Sequence, residues 1–188
     1  MRILITGATG LIGYHVAEHF LTTGDDVHLI VRPSSQKDKL LDLPGKLSLH
    51  THHGTSEELH EILRVASPHL VIHMAATGRY DHDLVNIDPI ISSNLLFGTQ
   101  LLECTVRNHV PYFINTGTFW QYQDSASYSP TSLYAATKQA FQDILWYYIK
   151  AFSLKSVTLI LFDTYGPKDP ARKYSIIFAK PLRPGKHY

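Results

Sequence analysis

Cysteine is nearly absent from this sequence, because Cys104 is the single thiol among 188 residues. One thiol cannot close an internal disulfide, which excludes the disulfide-stapled scaffolds of small secreted proteins. Cys104 lies in the stretch LLECTVRNHV. There a buried structural thiol is a simpler interpretation than a nucleophile.

An excess of charge of one sign is also missing. Lys and Arg number 17 and Asp and Glu 16, which gives a net charge of +1 with neutral histidines. The sequence therefore predicts no nucleic-acid partner and no membrane partner. No apolar run approaches the roughly 18 residues of a membrane-spanning helix, and the opening MRILITGATG does not resemble a signal peptide. With 44% hydrophobic residues, we expect a globular, cytoplasmic protein.

What the sequence does contain is an alternation of strand and helix patterns. Apolar or alternating runs predict strands at residues 2–6, 27–31, 46–52, 69–76, 112–116 and 156–162. Helical spacing lies between them, at residues 11–24, 56–67, 83–109 and 130–152. The third of these helices is expected to be interrupted near Pro89, and the second shows half of a capping box at Ser56 and Leu59.

Strands that alternate with helices predict an α/β fold of the Rossmann type. In this fold a doubly wound parallel sheet carries helices on both faces. The predicted domain covers residues 1–170 and holds every candidate catalytic residue, while residues 171–188 form a short tail.

The stretch TGATGLIG places three glycines at the turn from the first strand to the first helix. Gly7 permits the tight turn, Gly10 lets the backbone approach a pyrophosphate, and Gly13 lets the helix pack closely on the strand. The helix N-terminus adds free amides and a positive dipole end. The alternative is a glycine-rich turn without a ligand. We predict a dinucleotide site whose contacts are Gly7, Thr9, Gly10, Leu11, Ile12 and Gly13.

The residue after the second strand is expected to choose between the two nicotinamide cofactors. An acid there would accept a hydrogen bond from a ribose 2′-hydroxyl, but this chain has Arg32, which cannot accept one. Ser34 and Ser35 can donate to the same 2′-phosphate. NADP is therefore favoured as the cofactor, with NAD as the alternative. Arg32 as a merely solvated strand-end residue also stays open.

Tyr134 and Lys138 stand four residues apart in the last predicted helix, so they share one face of it. An ammonium near a phenol favours the phenolate and lowers the pKa of the tyrosine. Thr116 and Thr118 end the fifth strand at the carboxyl edge of the sheet, where ligands bind in such folds. Two interpretations stay open at this point: a proton-transfer group, and ordinary surface side chains.

The motifs TGATGLIG, NTGTFWQ, LYAATK and LFDTYGP, taken as a set, resemble the extended short-chain dehydrogenase/reductase family. The resemblance extends to about Pro170 and points to the nucleotide-sugar epimerases, dehydratases and 4-ketoreductases of that family. It implies that Tyr134 donates a proton, that Lys138 lowers its pKa and orients the nicotinamide ribose, and that Thr116 bonds the substrate carbonyl. It also implies further cofactor contacts, at Ala75, Ala76, Thr77, Asn94, Tyr134 and Lys138.

Three departures narrow what the resemblance implies. Gly117 and Thr118 stand where the dehydratases place an acidic pair, so dehydration is disfavoured. Thr55 stands where an acid often holds adenine and becomes the predicted contact there, and Asp163 replaces a common asparagine. What remains is similar to the abequose or paratose synthase branch. The expected reaction is hydride transfer from NADPH to a nucleotide-linked 4-keto-deoxysugar, with epimerisation as the alternative.

Only 21 residues follow Pro167, too few for the smaller substrate domain that the resemblance implies. An interpretation from another class is therefore kept: a cofactor-binding module without catalysis, or a truncated remnant. The resemblance also implies a homodimer, formed through the helix before residue 110 and the helix that bears Tyr134.

Several polar and aromatic side chains carry weaker predictions. Arg79 and Thr118 are predicted substrate contacts. Trp120, Tyr122 and Tyr128 either line a sugar or base pocket or cover the edge of the core. The histidine-rich stretch HTHH at 50–53 is interpreted without a metal site, because no cysteine or acid stands at ligand spacing.

Overall fold

A computed structural model describes residues 1–78, 83–122 and 127–167. The predicted contact Arg79 and the predicted tail at 171–188 lie outside these residues. The described strands are β1 (Arg2–Thr6), β2 (Asp26–Val31), β3 (Lys46–Thr51), β4 (Leu70–His73), β5 (Tyr112–Thr118) and β6 (Lys155–Leu161). They form one sheet in the order β3-β2-β1-β4-β5-β6, and each neighbouring pair is parallel.

The helices connect these strands. They are α1 (Leu11–Thr22), α2 (Asp38–Leu41), α3 (Ser56–Ala66), α4 (Leu84–Ile91), α5 (Phe97–Arg107) and α6 (Leu133–Phe152). A π-helical segment, Ser92–Leu96, joins α4 directly to α5, so this chain segment stays helical through Pro89. No helix among the described residues is both long enough and apolar enough to span a bilayer.

Two hydrophobic clusters cover the two faces of the sheet. One packs α3, α5 and α6 against the strands through residues such as Leu63, Leu101 and Phe141. The other packs α1 against β1 and β2 through residues such as Ala17 and Val27. Helices on both faces of a parallel sheet confirm the predicted doubly wound α/β fold.

The strand order reverses between β1 and β4. In doubly wound sheets, ligands bind in the crevice at the carboxyl ends of the strands beside such a reversal. Gly7 follows β1 directly and Met74 follows β4. The reversal therefore places the glycine turn and the segment after β4 side by side at the edge of the sheet where the crevice opens.

Three ends of helices and strands carry a cap or a side-chain bond that the predictions did not include. Helix α3 is capped by Thr55, whose side chain accepts from the Glu58 amide, so the predicted cap at Ser56 is wrong by one residue. Helix α6 begins at Leu133 rather than at 130, because Ser132 caps it. Strand β4 ends at His73 rather than at 76, and the Ala75 amide bonds to the Thr6 hydroxyl instead.

Candidate active site and cofactor cleft

The glycine turn is pressed against the chain that follows β4. Gly7 has a φ of +80°, and a Cβ there would lie 2.6 Å from the Ala75 nitrogen. A Cβ at Gly13 would collide with the Gly7 carbonyl. At Gly10 a Cβ would meet only the Gly7 carbonyl oxygen, at 3.4 Å. Packing therefore requires glycine at positions 7 and 13. At Gly10 the absence of a side chain leaves the backbone accessible from the crevice.

The crevice is a cleft of about 800 Å³. Eight predicted cofactor residues line it, namely Gly7, Thr9, Gly10, Arg32, Ser34, Ser35, Ala75 and Ala76. The other predicted contacts are not among its lining residues; these are Leu11, Ile12, Gly13, Thr55, Thr77, Asn94, Tyr134 and Lys138. The cleft thus collects the residues that follow β1, β2 and β4 along the carboxyl edge of the sheet.

One wall of this cleft was missed by the sequence reasoning. It consists of His52, His53 and Gly54 after β3 and of Pro89, Ser92, Ser93, Leu96, Phe97 and Gln100 on the α4–α5 segment. The π-helical turn lies in this wall. A π turn breaks the 3.6-residue spacing on which helix prediction depends.

Arg32 is an exposed cation at the rim of the cleft. Within the described ranges, no side chain or carbonyl accepts a hydrogen bond from its guanidinium. Its backbone is fixed by Ser35, since the Arg32 amide donates to Ser35 Oγ at 3.0 Å and the Ser35 amide donates to the Arg32 carbonyl at 3.0 Å. The Ser35 hydroxyl keeps its own proton to donate. This turn therefore offers a guanidinium and a hydroxyl donor, two groups that can bind an anion.

The loop after β3 places histidines, rather than Thr55, against the cleft. His52 is buried, and its Nε2 donates to the Thr55 carbonyl at 3.0 Å. That bond leaves Nδ1 of a neutral His52 as an acceptor. The Thr55 hydroxyl is engaged as the cap of α3. The signal that could have found this wall was the position of HTHH at the end of a strand.

Tyr134 and Lys138 lie at the start of α6, beside the segment that follows β4. The Tyr134 ring packs on Gly78, where a Cβ would lie 3.6 Å from the ring. Burial raises the pKa of Tyr134, and the ammonium of Lys138 does not reverse this direction. The predicted lowering of the Tyr134 pKa is therefore not present in the chain by itself. The phenol is protonated at neutral pH and is a proton donor.

Lys138 is a buried cation, with only 3% of its surface exposed. Burial lowers the pKa of its ammonium to about 8. Across 1–78, 83–122 and 127–167, no acceptor is hydrogen-bonded to its Nζ. Burial therefore disfavours the charged form of this side chain, which lies four residues from Tyr134 on the same face of α6.

The two strand-end threonines are already engaged. Thr116 is buried, and its hydroxyl donates to the His73 carbonyl at 3.2 Å. Thr118 caps a short 3₁₀ turn, Phe119–Gln121, through its side chain. A hydroxyl has one proton, so Thr116 can donate to a substrate carbonyl only after it leaves His73.

Asn94 connects the segment after β4 to helix α6 by hydrogen bonds. Its Oδ1 accepts from the Thr77 amide at 2.7 Å, while its Nδ2 donates to the Thr77 carbonyl and to Thr137 Oγ1. Thr137 directly precedes Lys138. Asn94 thus ties the segment after β4 to α6, a role in positioning that the predicted cofactor contact did not include.

His73 is a fully buried neutral side chain under the same segment. The Thr6 hydroxyl accepts from the Met74 and Ala75 amides, each at 3.2 Å. Its own proton is therefore donated to His73 Nδ1, at 2.8 Å. Burial, with a smaller effect of the Lys138 charge, lowers the pKa of His73 to about 3. His73 and Thr6 fix the ends of β1 and β4 without adding charge.

The remaining histidines and aromatics are distributed as follows. His28 and His50 form a pair across β2 and β3, with Nδ1 and Nε2 2.9 Å apart. In the part of the chain that the structure describes, no group of three or more His, Cys, Asp or Glu side chains is placed to hold a metal ion. Trp120 meets the Tyr134 ring edge-on at 6.1 Å, whereas Tyr128 is half exposed.

The comparisons with known proteins agree on one family. The family model for the NAD dependent epimerase/dehydratase family matches residues 3–184. UDP-glucuronate 4-epimerase 4 from Arabidopsis thaliana is 28% identical over 99% of this chain and 47% of its own length. CDP-abequose synthase from Salmonella typhimurium is 26% identical over 92% of this chain and 56% of its own length. The chain thus spans about half the length of these curated relatives.

Solved structures show the same architecture. The UDP-glucose 4-epimerase of Thermus thermophilus, in complex with NAD, superposes with a TM-score of 0.78 at 26% identity. The superposition covers 90% of this chain and 57% of that one. The resemblance predicted from the four motifs is confirmed by these matches.

Proposed function

We propose that this chain, which belongs to the NAD-dependent epimerase/dehydratase family of extended short-chain dehydrogenases/reductases, is an NADP-dependent oxidoreductase of a nucleotide-activated sugar. The reaction that fits best is reduction of a 4-keto-deoxysugar. The observation that carries this proposal is the pair of Tyr134 and Lys138 at the start of α6. The phenol of Tyr134 is protonated, and the buried ammonium of Lys138 lies one helical turn away. Within the described residues that ammonium has no acceptor.

The residues present fit a nicotinamide dinucleotide. Gly10 leaves backbone open beside the N-terminus of α1, where a pyrophosphate gains from the free amides and the helix dipole. Lys138 offers an ammonium that suits ribose hydroxyls. The cofactor, when bound, supplies the hydride. Tyr134, Lys138 and Thr116 would act on the proton side of the reaction.

Tyr134 would donate its phenolic proton to the sugar oxygen as negative charge develops there. Lys138 would then lie one helical turn from the phenolate that remains, and its positive charge would offset that negative charge. Thr116 would turn its hydroxyl from the His73 carbonyl toward the same sugar oxygen, which adds a second donor. Lys138 and Thr116 are buried and Tyr134 is partly buried, so both charge effects are stronger than in water.

Dehydration is not part of this proposal. A Cβ at Gly117 would lie 2.6 Å from Ile160 Cδ1 and 2.9 Å from Gln121 Oε1, so an acidic side chain does not fit there without movement. Thr118 is engaged as a cap. The positions at which dehydratases place their acids therefore supply no carboxylate.

NADP rather than NAD is proposed because Arg32 has no acceptor within the described residues and stands at the rim of the cleft. A guanidinium binds a phosphate with charge-assisted, bidentate hydrogen bonds. The Thermus thermophilus enzyme was crystallised with NAD. That relative supports a nicotinamide dinucleotide as the cofactor but not the choice of NADP. The choice of NADP rests on Arg32 with Ser34 and Ser35.

Epimerisation of a UDP-sugar is the second candidate. The relatives that favour it are UDP-glucuronate and UDP-glucose 4-epimerases, and it would use the same three residues. A cofactor-binding module without catalysis is the third candidate, and it would need only the cleft that Gly7, Gly10 and Arg32 line. A homodimer through the α4–α5 segment and α6, and a cytoplasmic location, stay predictions.

The first experiment is a titration of the chain with NADPH and NADH, followed by nicotinamide fluorescence. We expect NADPH to bind more tightly, and Arg32→Glu to weaken NADPH by roughly ten- to a hundredfold while leaving NADH unchanged. Arg64→Glu is the matched control, since Arg64 is exposed on α3 and pairs with Glu61. If neither cofactor binds, the enzyme proposal is wrong for this chain.

The second experiment tests the reaction. The chain is mixed with NADPH and a nucleotide-linked 4-keto-6-deoxysugar, and loss of NADPH is followed. Tyr134→Phe should reduce turnover by about 10²–10⁴ and keep the NADPH affinity. In a separate assay with NAD⁺ or NADP⁺, interconversion of UDP-sugars without net change of the cofactor would favour the epimerase. Cofactor binding with neither activity would leave the non-catalytic module.

A further inference from the structure

The imidazole of His15 joins two distant parts of the chain. His15 lies in α1, and its Nδ1 is 3.1 Å from Glu18 Oε2 on the same helix. Its Nε2 is 2.9 Å from the carbonyl oxygen of Pro167, which follows β6. The Tyr14 ring meets the imidazole edge-on, with centroids 5.4 Å apart and planes at 89°. The imidazole therefore lies between α1 and the segment 162–167, which we call the β6 loop.

Both partners of this imidazole are hydrogen-bond acceptors. A carboxylate and a backbone carbonyl have no proton to donate, and a neutral imidazole has a single N–H. The two bonds can therefore form together only when His15 is an imidazolium with a proton on each ring nitrogen. Tyr14 on α1 and Lys39 on α2 line a small pocket with His15. The carboxylate of Glu18 and the ammonium of Lys39 are thus the charges beside the imidazole on these two helices.

Loss of one proton breaks one of the two bonds. The bond to the carboxylate is charge-assisted and is the stronger one, so a neutral His15 keeps its proton on Nδ1 and turns a lone pair toward the Pro167 carbonyl. Histidine is the side chain whose charge ordinarily changes between about pH 5 and pH 8. The β6 loop carries Asp163 and Tyr165 as its own titratable residues. The contact between His15 and Pro167 is therefore attractive in mild acid and repulsive in mild base.

The β6 loop crosses the carboxyl edge of the sheet. Strand β6 is at one end of the sheet, and β5 and β4 lie between it and β1, which α1 follows. Three strand spacings amount to about 14 Å, whereas the six steps from Leu161 to Pro167 reach at most about 20 Å. The loop must therefore run across the ends of β5 and β4. Phe162 anchors its near end by stacking on Phe119 at 5.2 Å, and His15 holds its far end.

The far end of the β6 loop lies beside the predicted dinucleotide site. Thr9 and Gly10 line both the large cleft and the small pocket that contains His15. Strand β4, whose end the loop crosses, leads into the segment that reaches Gly78, on which the Tyr134 ring packs. The bond between His15 and the loop therefore keeps the loop across the stretch of sheet edge between the glycine turn and the proton donor.

We propose that His15 is a positioning residue whose imidazolium form holds the β6 loop across the cofactor site and slows the release of the dinucleotide. Its effect on the dinucleotide rests on the proposed function, whereas the bond to Pro167 belongs to the chain alone. His15 acts through the loop, because a dinucleotide beside Gly10 leaves by the sheet edge that the loop crosses. The loop moves more readily when His15 is neutral, so release is faster in mild base.

Rates of NADPH dissociation at about pH 6.5 and about pH 9 test this effect. NADPH is displaced by excess NADP⁺, and the loss of nicotinamide fluorescence is timed. His15→Phe keeps an aromatic ring and removes both bonds, so it should release NADPH about fivefold faster than the parent at the lower pH and equally fast at the higher. His15→Gln keeps a donor that does not titrate, so it should release NADPH more slowly than His15→Phe at both pH values. Comparing variants at one pH cancels the titration of other groups in the site.

His19 supplies the matched control. It is exposed on the same helix, and its ring contacts Phe20 at 5.5 Å. His19→Phe makes the same chemical change one turn away, and it should release NADPH at the rate of the parent at both pH values.

A second measurement needs no cofactor. Chymotrypsin cleaves after aromatic residues, and Tyr165 in the β6 loop is 69% exposed. Cleavage after Tyr165, followed by mass spectrometry, should be about fivefold faster in His15→Phe than in the parent at about pH 6.5, and equally fast at about pH 9. Nitrogen-15 NMR of the parent should show protons on both ring nitrogens of His15 at the lower pH and on Nδ1 at the higher.

Three results would overturn the inference. The first is a ratio of His15→Phe to parent that is the same at both pH values. The second is an equal effect of His19→Phe, and the third is a neutral His15 that carries its proton on Nε2. Failure of the parent chain to bind NADPH would contradict the proposed function, while the cleavage ratio would still decide whether His15 holds the β6 loop.

Discussion

Lys138→Met is expected to make this chain more stable. The ammonium of Lys138 is buried and its pKa falls from the ordinary 10.5 to about 8. One pKa unit corresponds to 1.36 kcal/mol, so holding this charge in the folded chain costs roughly 3 kcal/mol at neutral pH. Methionine keeps an unbranched apolar stem and carries no charge, so the variant removes that cost.

The sign of the pH dependence follows from the same pKa. Between about pH 8 and pH 10.5 the unfolded chain keeps the lysine proton while the folded chain has lost it, so the free energy of unfolding of the parent rises with pH. Below pH 8 both states are protonated and the full cost is present. The advantage of Lys138→Met should therefore be largest near pH 7 and fall below half by about pH 9.5.

Urea unfolding of the two chains at both pH values measures this difference. Lys150→Met is the matched control, because Lys150 is exposed on the same helix and lies over Trp146; its removal should change stability by about 1 kcal/mol or less. A Lys138→Met chain no more stable than the parent at pH 7, or a gain that is the same at both pH values, would refute the reasoning.

Two further predictions concern the supports of the site. Thr55→Val should lower the free energy of unfolding, measured in urea, by about 1 kcal/mol, because the Thr55 hydroxyl caps α3. Thr55→Ser keeps the hydroxyl and should leave the free energy of unfolding unchanged. An equal loss in Ser56→Ala would contradict the assignment of Thr55 as the cap. Stability should fall as the pH drops below about 6.5, because unfolded His73 takes up a proton that the buried side chain does not accept until about pH 3. His73→Gln should flatten this dependence in acid titrations followed by circular dichroism, and an unchanged slope would contradict it.

The local signals in the sequence were sufficient to predict the fold and the residues that line the cleft after β1, β2 and β4. Glycine spacing depends on the geometry of one turn, so TGATGLIG was enough to locate the turn whose Gly7 and Gly10 line the crevice. The strand-end position of Arg32 was likewise enough to put it at the rim of the cleft. These residues act where the chain itself turns, and no distant contact decides their place.

The missed wall has a different origin. His52 and Gln100 stand far apart in the sequence, and they form one wall because α5 contacts the loop after β3, where Gln100 Nε2 donates to the Gly54 carbonyl at 3.1 Å. The π-helical segment Ser92–Leu96 shifts the helical spacing by part of a turn, which a 3.6-residue pattern does not reveal. The cap of α3 was misplaced by one residue for a simpler reason, since Thr55 and Ser56 are both good caps.

The protonation states of the reactive groups could not be predicted from the sequence, because they depend on burial. The motif LYAATK identifies Tyr134 and Lys138 as neighbours, and proximity alone predicts a lowered phenol pKa. Burial disfavours the charged form of each group, so it raises the pKa of the phenol and lowers the pKa of the ammonium. The chain by itself therefore holds a protonated donor next to a cation that burial destabilises. That combination suits the delivery of a proton to a reduced sugar oxygen, and it explains why the stability of the chain and the proposed chemistry make opposite demands on residue 138.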